Sequence, residues 1–214
     1  VLDIEPPEPM VYEWFTLNGE TLSSSAGNIL TVPELLELLE PEIVRYFFAL
    51  NPTRARDLDL EQLDQLVDDF DRFERAYYEG VDDDSLTAFA EAAYPHVVDE
   101  VTDERPIRLP YTFAAVLGMV EDRELREKLA RDEGHIPADA DEATVEAALA
   151  RVEQARNWAE RMDNAYNYQL QADLPDTAFD DATVDALDAL ATVVADGADG
   201  ETIQAAIYDT AREH

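Results

Sequence analysis

Residues 59–80 read DLEQLDQLVDDFDRFERAYYEG, and this stretch decides the fold class of the chain. Its apolar side chains recur at three- and four-residue steps, the spacing that places side chains on one face of an α-helix. They are Leu63, Leu66, Val67, Phe70, Phe73 and Tyr77. Asp59 is a candidate N-cap with Gln62 at the N3 position, and Gly80 is a typical helix-ending residue. The pattern predicts one long helix from about Leu60 to Glu79.

Helical periodicity continues on both sides of this stretch. Thr31-Val32-Pro33-Glu34 is a capping box with proline in the first turn, which predicts a short helix to about Leu39. Pro41 begins another helix, which ends before Asn51-Pro52 because the residue before proline disfavours helical backbone. Further helices are predicted over residues 85–94, 111–121, 123–132, 143–162, 182–194 and 201–211. No strand pattern is convincing after residue 30.

The first 28 residues have a different character. Val11–Leu17 reads VYEWFTL, an aromatic and β-branched run typical of a short strand, and Asn18-Gly19 is a turn signal. A lone strand leaves the backbone N–H and C=O groups along both of its edges without hydrogen-bond partners. This segment should therefore belong to a sheet whose other strands are missing. We therefore expect a mainly α protein, a helical bundle preceded by a fragment of a sheet-containing domain.

Acidic residues dominate the composition, with 50 Asp+Glu against 15 Lys+Arg and a formal charge of −35. Lys128 is the only lysine. Disorder does not explain this balance, because apolar periodicity recurs throughout, and the acids are not confined to one tail. At about 1 M salt the Debye length is only about 3 Å, so self-repulsion is screened while dense carboxylates keep the surface hydrated. The composition favours adaptation to molar internal salt.

Several functional classes are excluded or disfavoured by composition. The chain has no cysteine, so disulfide and thiolate chemistry are not possible. His96, His135 and His214 lie far apart and lack metal-ligand spacing, so we predict no metal site. There is no signal peptide and no apolar run near about 20 residues. We expect a cytoplasmic, monomeric protein that does not associate with a membrane.

The candidate chemistry lies in the small, polar segment 22–28, which reads LSSSAGN. It stands between the predicted strand and the capped helix. Three hydroxyls, a flexible glycine and nearby backbone N–H groups can cradle phosphate oxygens. Serine-rich turns are common, however, so on pattern alone an ordinary loop remains the simpler interpretation.

The segment resembles the second signature motif of class I aminoacyl-tRNA synthetases, and in particular of the archaeal class I lysyl-tRNA synthetases. The family writes this motif K-M-S-S-S-K-G-N. Residues 21–28 match it at Ser23, Ser24, Ser25, Gly27 and Asn28. Thr21 and Ala26 stand in place of the family's two lysines, and Leu22 replaces the methionine. Losing both lysines removes the usual charged donors to phosphate, which an arginine elsewhere could replace.

The flanking sequence extends the resemblance. Residues 12–15 (YEWF) are similar to the family's strand before the loop. Residues 41–46 (PEIVRY), 57–59 (DLD) and 68–75 (DDFDRFER) are similar to the family's segment after it. The similarity is good over about residues 11 to 80 and thinner afterwards.

The resemblance implies a domain organisation for the chain. Residues 1–30 would be the last strand and signature loop of a Rossmann-type catalytic domain, and residues 31–80 would be stem-contact helices. Residues 81–214 would form a helical anticodon-binding cage, incomplete at its C-terminus. The chain would then be the C-terminal portion of an enzyme from the signature loop onward. The other class I signature, which is HIGH-like, has no match, so the chain alone is not expected to form an adenylate.

The resemblance also implies an activity, the ATP-dependent attachment of lysine to tRNA(Lys), with ATP bound as its Mg²⁺ complex. The loop would close on ATP and stabilise the leaving pyrophosphate through donors positioned in advance. Its catalytic residues would be Ser23, Ser24 and Ser25, and its ATP-binding residues would also include Thr21, Gly27 and Asn28. Partners of the whole enzyme would be tRNA(Lys), ATP and lysine.

Basic residues that could contact tRNA are few. Arg54 and Arg56 lie in a predicted loop suited to a phosphate contact. Arg156 and Arg161, with Arg151, flank Trp158 on one predicted helix and could clamp an unstacked base. Alternatively, Trp158 belongs to the core and the arginines pair with acids, which the sequence favours. Tyr166 and Tyr168 could stack on a base.

Two other hypotheses remain at this stage. A non-catalytic relative could keep the fold and bind RNA or a protein, as Thr21 and Ala26 would allow. An acidic helical interaction domain could carry an accidental serine loop. Within the class, the arginyl, cysteinyl and methionyl synthetases are the nearest alternatives to the lysyl enzymes.

Overall fold

The computed structural model describes residues 12–22, 29–50, 53–168, 179–195 and 197–213. It is mostly helical, which confirms the predicted fold class. Two compact units are present, residues 1–169 and residues 170–214. No helix in the described ranges is long and apolar enough to cross a membrane. The domain boundaries expected at residues 30 and 80 fall inside the first unit, and as functional divisions they stay predictions.

The strands are β1 (Phe15–Leu17), β2 (Glu20–Thr21) and β3 (Arg56–Leu58). The helices of the first unit are α1 (Val32–Leu36), α2 (Pro41–Ala49), α3 (Leu63–Glu79), α4 (Asp84–Val97), α5 (Tyr111–Leu117), α6 (Arg123–Asp132), α7 (Glu142–Leu149) and α8 (Arg151–Met162). A short 3-10 helix, Leu60–Gln62, precedes α3. The second unit contains α9 (Asp181–Ala195) and α10 (Gly200–Glu213).

The sheet has the strand order β2-β1-β3, antiparallel between β1 and β2 and parallel between β1 and β3. Asn18 and Gly19 have φ of 52° and 77°, as the tight turn between β1 and β2 requires. Two partners of β1 thus lie within this chain, so the expectation of a lone strand was wrong, and the expectation that further strands of its sheet are missing stays a prediction. The prediction of no strand after residue 30 was also wrong. The strand Arg56–Leu58 is too short to show alternation and forms through its distant pairing with β1.

The helix-start signals are confirmed. The backbone N–H of Thr31 donates to Glu34 Oε2 at 2.8 Å, and Thr31 Oγ1 accepts from the Glu34 N–H, completing the capping box. The Thr31 hydroxyl and N–H lower the pKa of the Glu34 carboxyl. Asp59 caps the 3-10 helix that leads into α3, and Gly80, with φ of 72°, closes α3.

Some helix boundaries differ from the prediction. The single helix predicted over residues 143–162 is interrupted at Ala150, although Ala150 itself keeps helical dihedral angles. Helix α4 continues through Pro95 to Val97, because the proline sits in the last turn. Helix α1 ends at Leu36, and residues 37–39 form turns. The spacing of apolar residues does not reveal a one-residue break in a helix or the exact residue at which its last turn ends.

Helix α8 packs closely against α5. A Cβ atom on Gly118, just after α5, would come within 2.7 Å of Arg156 Cβ, so only glycine allows this approach between α5 and α8. The indole N–H of Trp158 donates to the Leu60 carbonyl at 2.8 Å. The Trp158 ring lies 5.1 Å from that of Tyr111, whose hydroxyl donates to the Leu38 carbonyl. These contacts tie α8 to α5 and to the segments that precede α2 and α3.

A buried arginine also holds α8 in place. The side chain of Arg151 is 2% exposed. Its Nε donates to Glu40 at 2.6 Å, and its two terminal nitrogens donate to both Asp71 oxygens at 2.7 and 2.8 Å. It also donates to the Leu109 carbonyl at 2.7 Å. Burial opposes the charge, but the Asp71 hydrogen bonds and Glu40 keep the pKa of Arg151 above its usual value.

Arg108 forms a second buried ion pair beside the first. It donates to Glu74, which is fully buried, at 3.0 to 3.2 Å, and to Glu42 at 3.0 Å. Glu74 also accepts from the Tyr94 hydroxyl at 2.8 Å. Burial opposes the Arg108 charge, yet Glu74 and Glu42 raise the pKa of Arg108. Together the two arginines connect α2, α3, α8 and the segment before α5.

Candidate nucleotide loop and nucleic-acid interface

The predicted phosphate loop is flanked on both sides by ordered structure. Residues 23–28, which include Ser23, Ser24, Ser25, Gly27 and Asn28, lie outside the described residues. On one side Thr21 pairs with Thr16 in the β1–β2 ladder. On the other side the Thr31 capping box starts α1. The sheet thus precedes the predicted loop in the chain, and α1 follows it.

Contacts with β3 and the 3-10 helix hold the β1–β2 hairpin in position. The Thr16 hydroxyl donates to Asp57 Oδ1 at 2.6 Å, and the Gly19 N–H donates to the same oxygen at 2.8 Å. Asn18 Oδ1 accepts from the Leu60 N–H at 2.8 Å. The hairpin that leads into the loop is thus fastened to the start of α3. An open depression beside it is lined by residues 12–15, Thr21 and Leu22.

Arg54 and Arg56 have different environments. Arg56 lies in β3, not in the predicted loop, and its Nη1 donates to the Phe47 and Leu50 carbonyls at 2.8 and 2.9 Å. Its guanidinium lies 4.5 Å from the Phe47 ring centre, and burial lowers the pKa of Arg56. Arg54 is exposed and makes no hydrogen bond or ion pair with the described residues. Arg56 therefore caps carbonyl groups at the C-terminus of α2, whereas Arg54 is accessible to an external anion.

The predicted base clamp on α8 is only partly exposed. Trp158 is buried in the core, as the sequence favoured, so its ring is not accessible to a base in this structure. Arg156 donates to Glu160 at 2.8 Å and to Asn167 at 2.6 Å, and Gly118 packs against its stem. Arg161 is exposed and makes no hydrogen bond or ion pair with the described residues. Its charge contributes to lowering the pKa of the Glu34 carboxyl, although the two side chains are not in close contact.

The two predicted tyrosines also differ in accessibility. Tyr166 is half-buried, with its ring 5.9 Å from that of Trp158. Tyr168 is 58% exposed. In the described part of the chain, the predicted RNA-contact residues accessible to a ligand are therefore Arg54, Arg161 and Tyr168, and their role in binding stays a prediction.

The structure brings together a set of arginines that the sequence analysis did not select. Arg72 and Arg75 on α3, and Arg105 and Arg108 before α5, line a single cleft of about 570 Å³. His135, Asp68 and Asp71 line it as well. Arg72 and Arg75 are three residues apart and therefore share a helix face, a signal that was available in the sequence. The contribution of Arg105 depends on how the segment after α4 folds back on α3.

Comparison with known proteins gives a consistent family. Residues 1–96 match the family described as tRNA synthetases class I (K). The lysine–tRNA ligase of Haloarcula marismortui is 58% identical over 216 residues, which cover 100% of this chain and 39% of that protein. The lysine–tRNA ligase of Natronomonas pharaonis is 57% identical over 217 residues, covering 100% of this chain and 40% of that protein.

A more distant relative agrees. The lysine–tRNA ligase of Methanopyrus kandleri is 33% identical over 166 residues, covering 72% of this chain and 29% of that protein. This chain spans about two fifths of the length of the two haloarchaeal relatives. The predicted salt adaptation agrees with their source. On the family match and the whole-chain similarity, the chain belongs to the class I (K) family of tRNA synthetases.

Proposed function

We propose that this chain is the part of a lysine–tRNA ligase that supplies the ATP-phosphate loop and a large share of the tRNA-binding surface. The observation that carries the proposal is similarity along the entire chain, at 58% and 57% identity, to two proteins named lysine–tRNA ligase. Similarity confined to the sheet segment would support a nucleotide loop alone. Its extension through all the helices supports a shared helical function as well.

The loop 21–28 is proposed to bind the phosphates of ATP, taken as its Mg²⁺ complex. When the adenylate forms, negative charge builds up on the α-phosphate and on the leaving pyrophosphate. Donors that are already in position there stabilise the transition state most. Ser23, Ser24 and Ser25 bring three hydroxyls to a segment that also contains Gly27. The fastened hairpin precedes this segment in the chain, and the capped helix α1 follows it. Because Thr21 and Ala26 carry no charge, hydroxyl and amide donors bear more of the phosphate binding than in relatives with lysines.

The tRNA is proposed to lie against the helices of the first unit, with Arg54, Arg161 and Tyr168 among its contacts. The two arginines are exposed cations that make no close ion pair with a described residue, in a protein with 50 acids and 15 Lys+Arg. Tyr168 offers an exposed ring on which a base can stack. A supporting role, holding in place the elements that carry these contacts, is proposed for Arg56, Arg156, Trp158 and Tyr166. In molar salt the long-range repulsion of the acidic surface is screened, so short contacts decide binding.

A chimera tests the proposed loop. This chain replaces the matching two fifths of the Haloarcula marismortui relative, and ATP–pyrophosphate exchange is measured with lysine and tRNA present in molar KCl. We expect exchange in the chimera. Replacing Ser24 and Ser25 with alanine should lower the rate by about 100-fold or more, since one lost oxyanion donor costs about 10²–10³. Exposed Ser85, far from the loop in sequence, provides the matched control, and Ser85→Ala should leave the rate unchanged.

The outcomes separate the alternatives. A folded chimera without exchange would indicate a non-catalytic relative. Full activity in the Ser24→Ala, Ser25→Ala double variant would show that the resemblance of the loop is accidental.

A further inference from the structure

Cations are scarce in this protein, and most of them pair with carboxylates. There are 15 Lys+Arg for 50 Asp+Glu, so each cation has many possible partners. Arg108 and Arg151 are buried in carboxylate pairs, and Arg123 contacts Glu127, Glu142 and Glu146. An arginine that stays exposed without a close partner in such a protein is available for an anion that comes from outside.

The cleft between α3 and the segment after α4 holds one such arginine, Arg75, beside two arginines whose ion pairs are partly exposed. Arg75 is exposed and makes no hydrogen bond or ion pair with the described residues. Arg72 reaches Asp83 at only 3.8 Å, with 56% of its side chain exposed. Arg105 contacts one carboxylate, Glu79, at 2.9 Å. Exposed pairs of this kind contribute little free energy and exchange readily with another anion.

Two carboxylates, Asp68 and Asp71, also line the cleft. Asp71 gives both oxygens to Arg151. Asp68 is exposed, and it places one carboxylate beside the arginines. Arg108 is taken up by Glu74 and Glu42, so Arg72, Arg75 and Arg105 are the arginines of the cleft that an external anion can reach.

We propose that the cleft of Arg72, Arg75 and Arg105 binds the phosphodiester backbone of the tRNA. This inference rests on the proposed function and names a contact surface for it. A guanidinium presents a fork of donors that matches two phosphate oxygens, and its weak hydration lets such a contact persist in concentrated salt. His135 also lines the cleft; it is half-buried, and its ring lies 4.5 Å from that of Phe113. Contacts from arginine to the phosphates position the RNA and do not select its sequence.

The test measures the affinity of the 214-residue chain for tRNA in molar KCl, by fluorescence anisotropy. Three proteins are compared: the unchanged chain, the double variant Arg75→Gln, Arg105→Gln, and the control Arg123→Gln. Arg123 is an exposed arginine outside the cleft. Each charge-assisted contact is worth roughly tenfold in affinity, so we expect the double variant to bind about 10- to 100-fold more weakly and the control to bind normally.

Two further measurements define the mechanism. The dependence of log K on log salt should become shallower by about 0.7–0.9 for each lost phosphate contact. The loss should be equal for tRNA(Lys) and for a tRNA with a changed anticodon, because a backbone contact carries no sequence information. Circular dichroism confirms that each variant is folded.

The failures of the two proposals are distinguishable. If the double variant binds tRNA as tightly as the unchanged chain, or if Arg123→Gln weakens binding equally, the cleft is not the contact surface and the proposed function stands. If the folded, unchanged chain binds no tRNA, both proposals are contradicted.

Discussion

Replacing Arg151 with methionine should lower the free energy of unfolding by about 3–5 kcal/mol, the usual effect of breaking a buried ion pair. The methionine keeps much of the side-chain volume but removes the charge and every donor. Glu40, which is 8% exposed, and Asp71 would lose their hydrogen bonds to Arg151, and the Leu109 carbonyl would lose a donor. Urea unfolding at constant molar KCl, followed by circular dichroism, measures the change.

The matched control is Arg123→Met. Arg123 also contacts several carboxylates, but 42% of its side chain is exposed. Its partners Glu142 and Glu146 are exposed as well, at 75% and 74%. Exposed ion pairs contribute about 0–1 kcal/mol, so this variant should unfold close to the unchanged protein. Equal effects of the two substitutions would contradict the role assigned to the buried arginine, since burial is what separates them.

Lowering the salt concentration should unfold the protein. At a formal charge of −35, carboxylates repel one another across the whole surface. The Debye length is about 3 Å at 1 M salt and about 10 Å at 0.1 M, so the repulsion spreads over many more pairs in dilute buffer. We expect the helical signal to be retained in about 1 M KCl and to fall substantially in about 0.1 M KCl.

Sucrose separates charge screening from a general effect of solutes. It favours burial by exclusion from the protein surface but screens no charge. It should therefore restore much less of the helical signal in dilute buffer than KCl does. A helical signal that is the same in dilute and molar KCl would contradict salt adaptation.

The long helices were predictable from sequence because their information is local. The apolar face of α3, the Thr31 capping box and the Gly80 terminus each involve residues within a few positions of one another. The side-chain spacing also identified the core residues Val67, Phe70 and Phe73. Local patterns of this kind need no knowledge of the rest of the fold.

The features that the sequence did not reveal depend on distant pairs. Strand β3 forms because Arg56–Leu58 meets β1 about forty residues earlier in the chain. The pairing of Arg151 with Glu40 joins residues 111 positions apart. Neither the sequence Arg-Asp-Leu nor an arginine at the start of a helix identifies these distant partners, so composition and periodicity could not predict the pairings.

In the candidate site, too, the local motif could be predicted from the sequence, whereas features that depend on the fold could not. The motif in residues 21–28 was visible because it is contiguous, and its resemblance led to the family that residues 1–96 match. The contact residues were harder to choose, because accessibility decides them. Arg56 and Trp158 share their residue types with good RNA contacts but are occupied inside the fold. Arg75 has no unusual neighbour in sequence, and only the fold places it beside Arg105.

The most direct test of the account is binding of the purified chain to tRNA(Lys) in molar KCl, compared with the same tRNA carrying a changed anticodon. If these helices form an anticodon-binding region of a lysine–tRNA ligase, tRNA(Lys) should bind more tightly. The chain must be shown to be folded under the same conditions by circular dichroism. Equal binding of the two tRNAs, or no binding, by the folded chain would contradict the account.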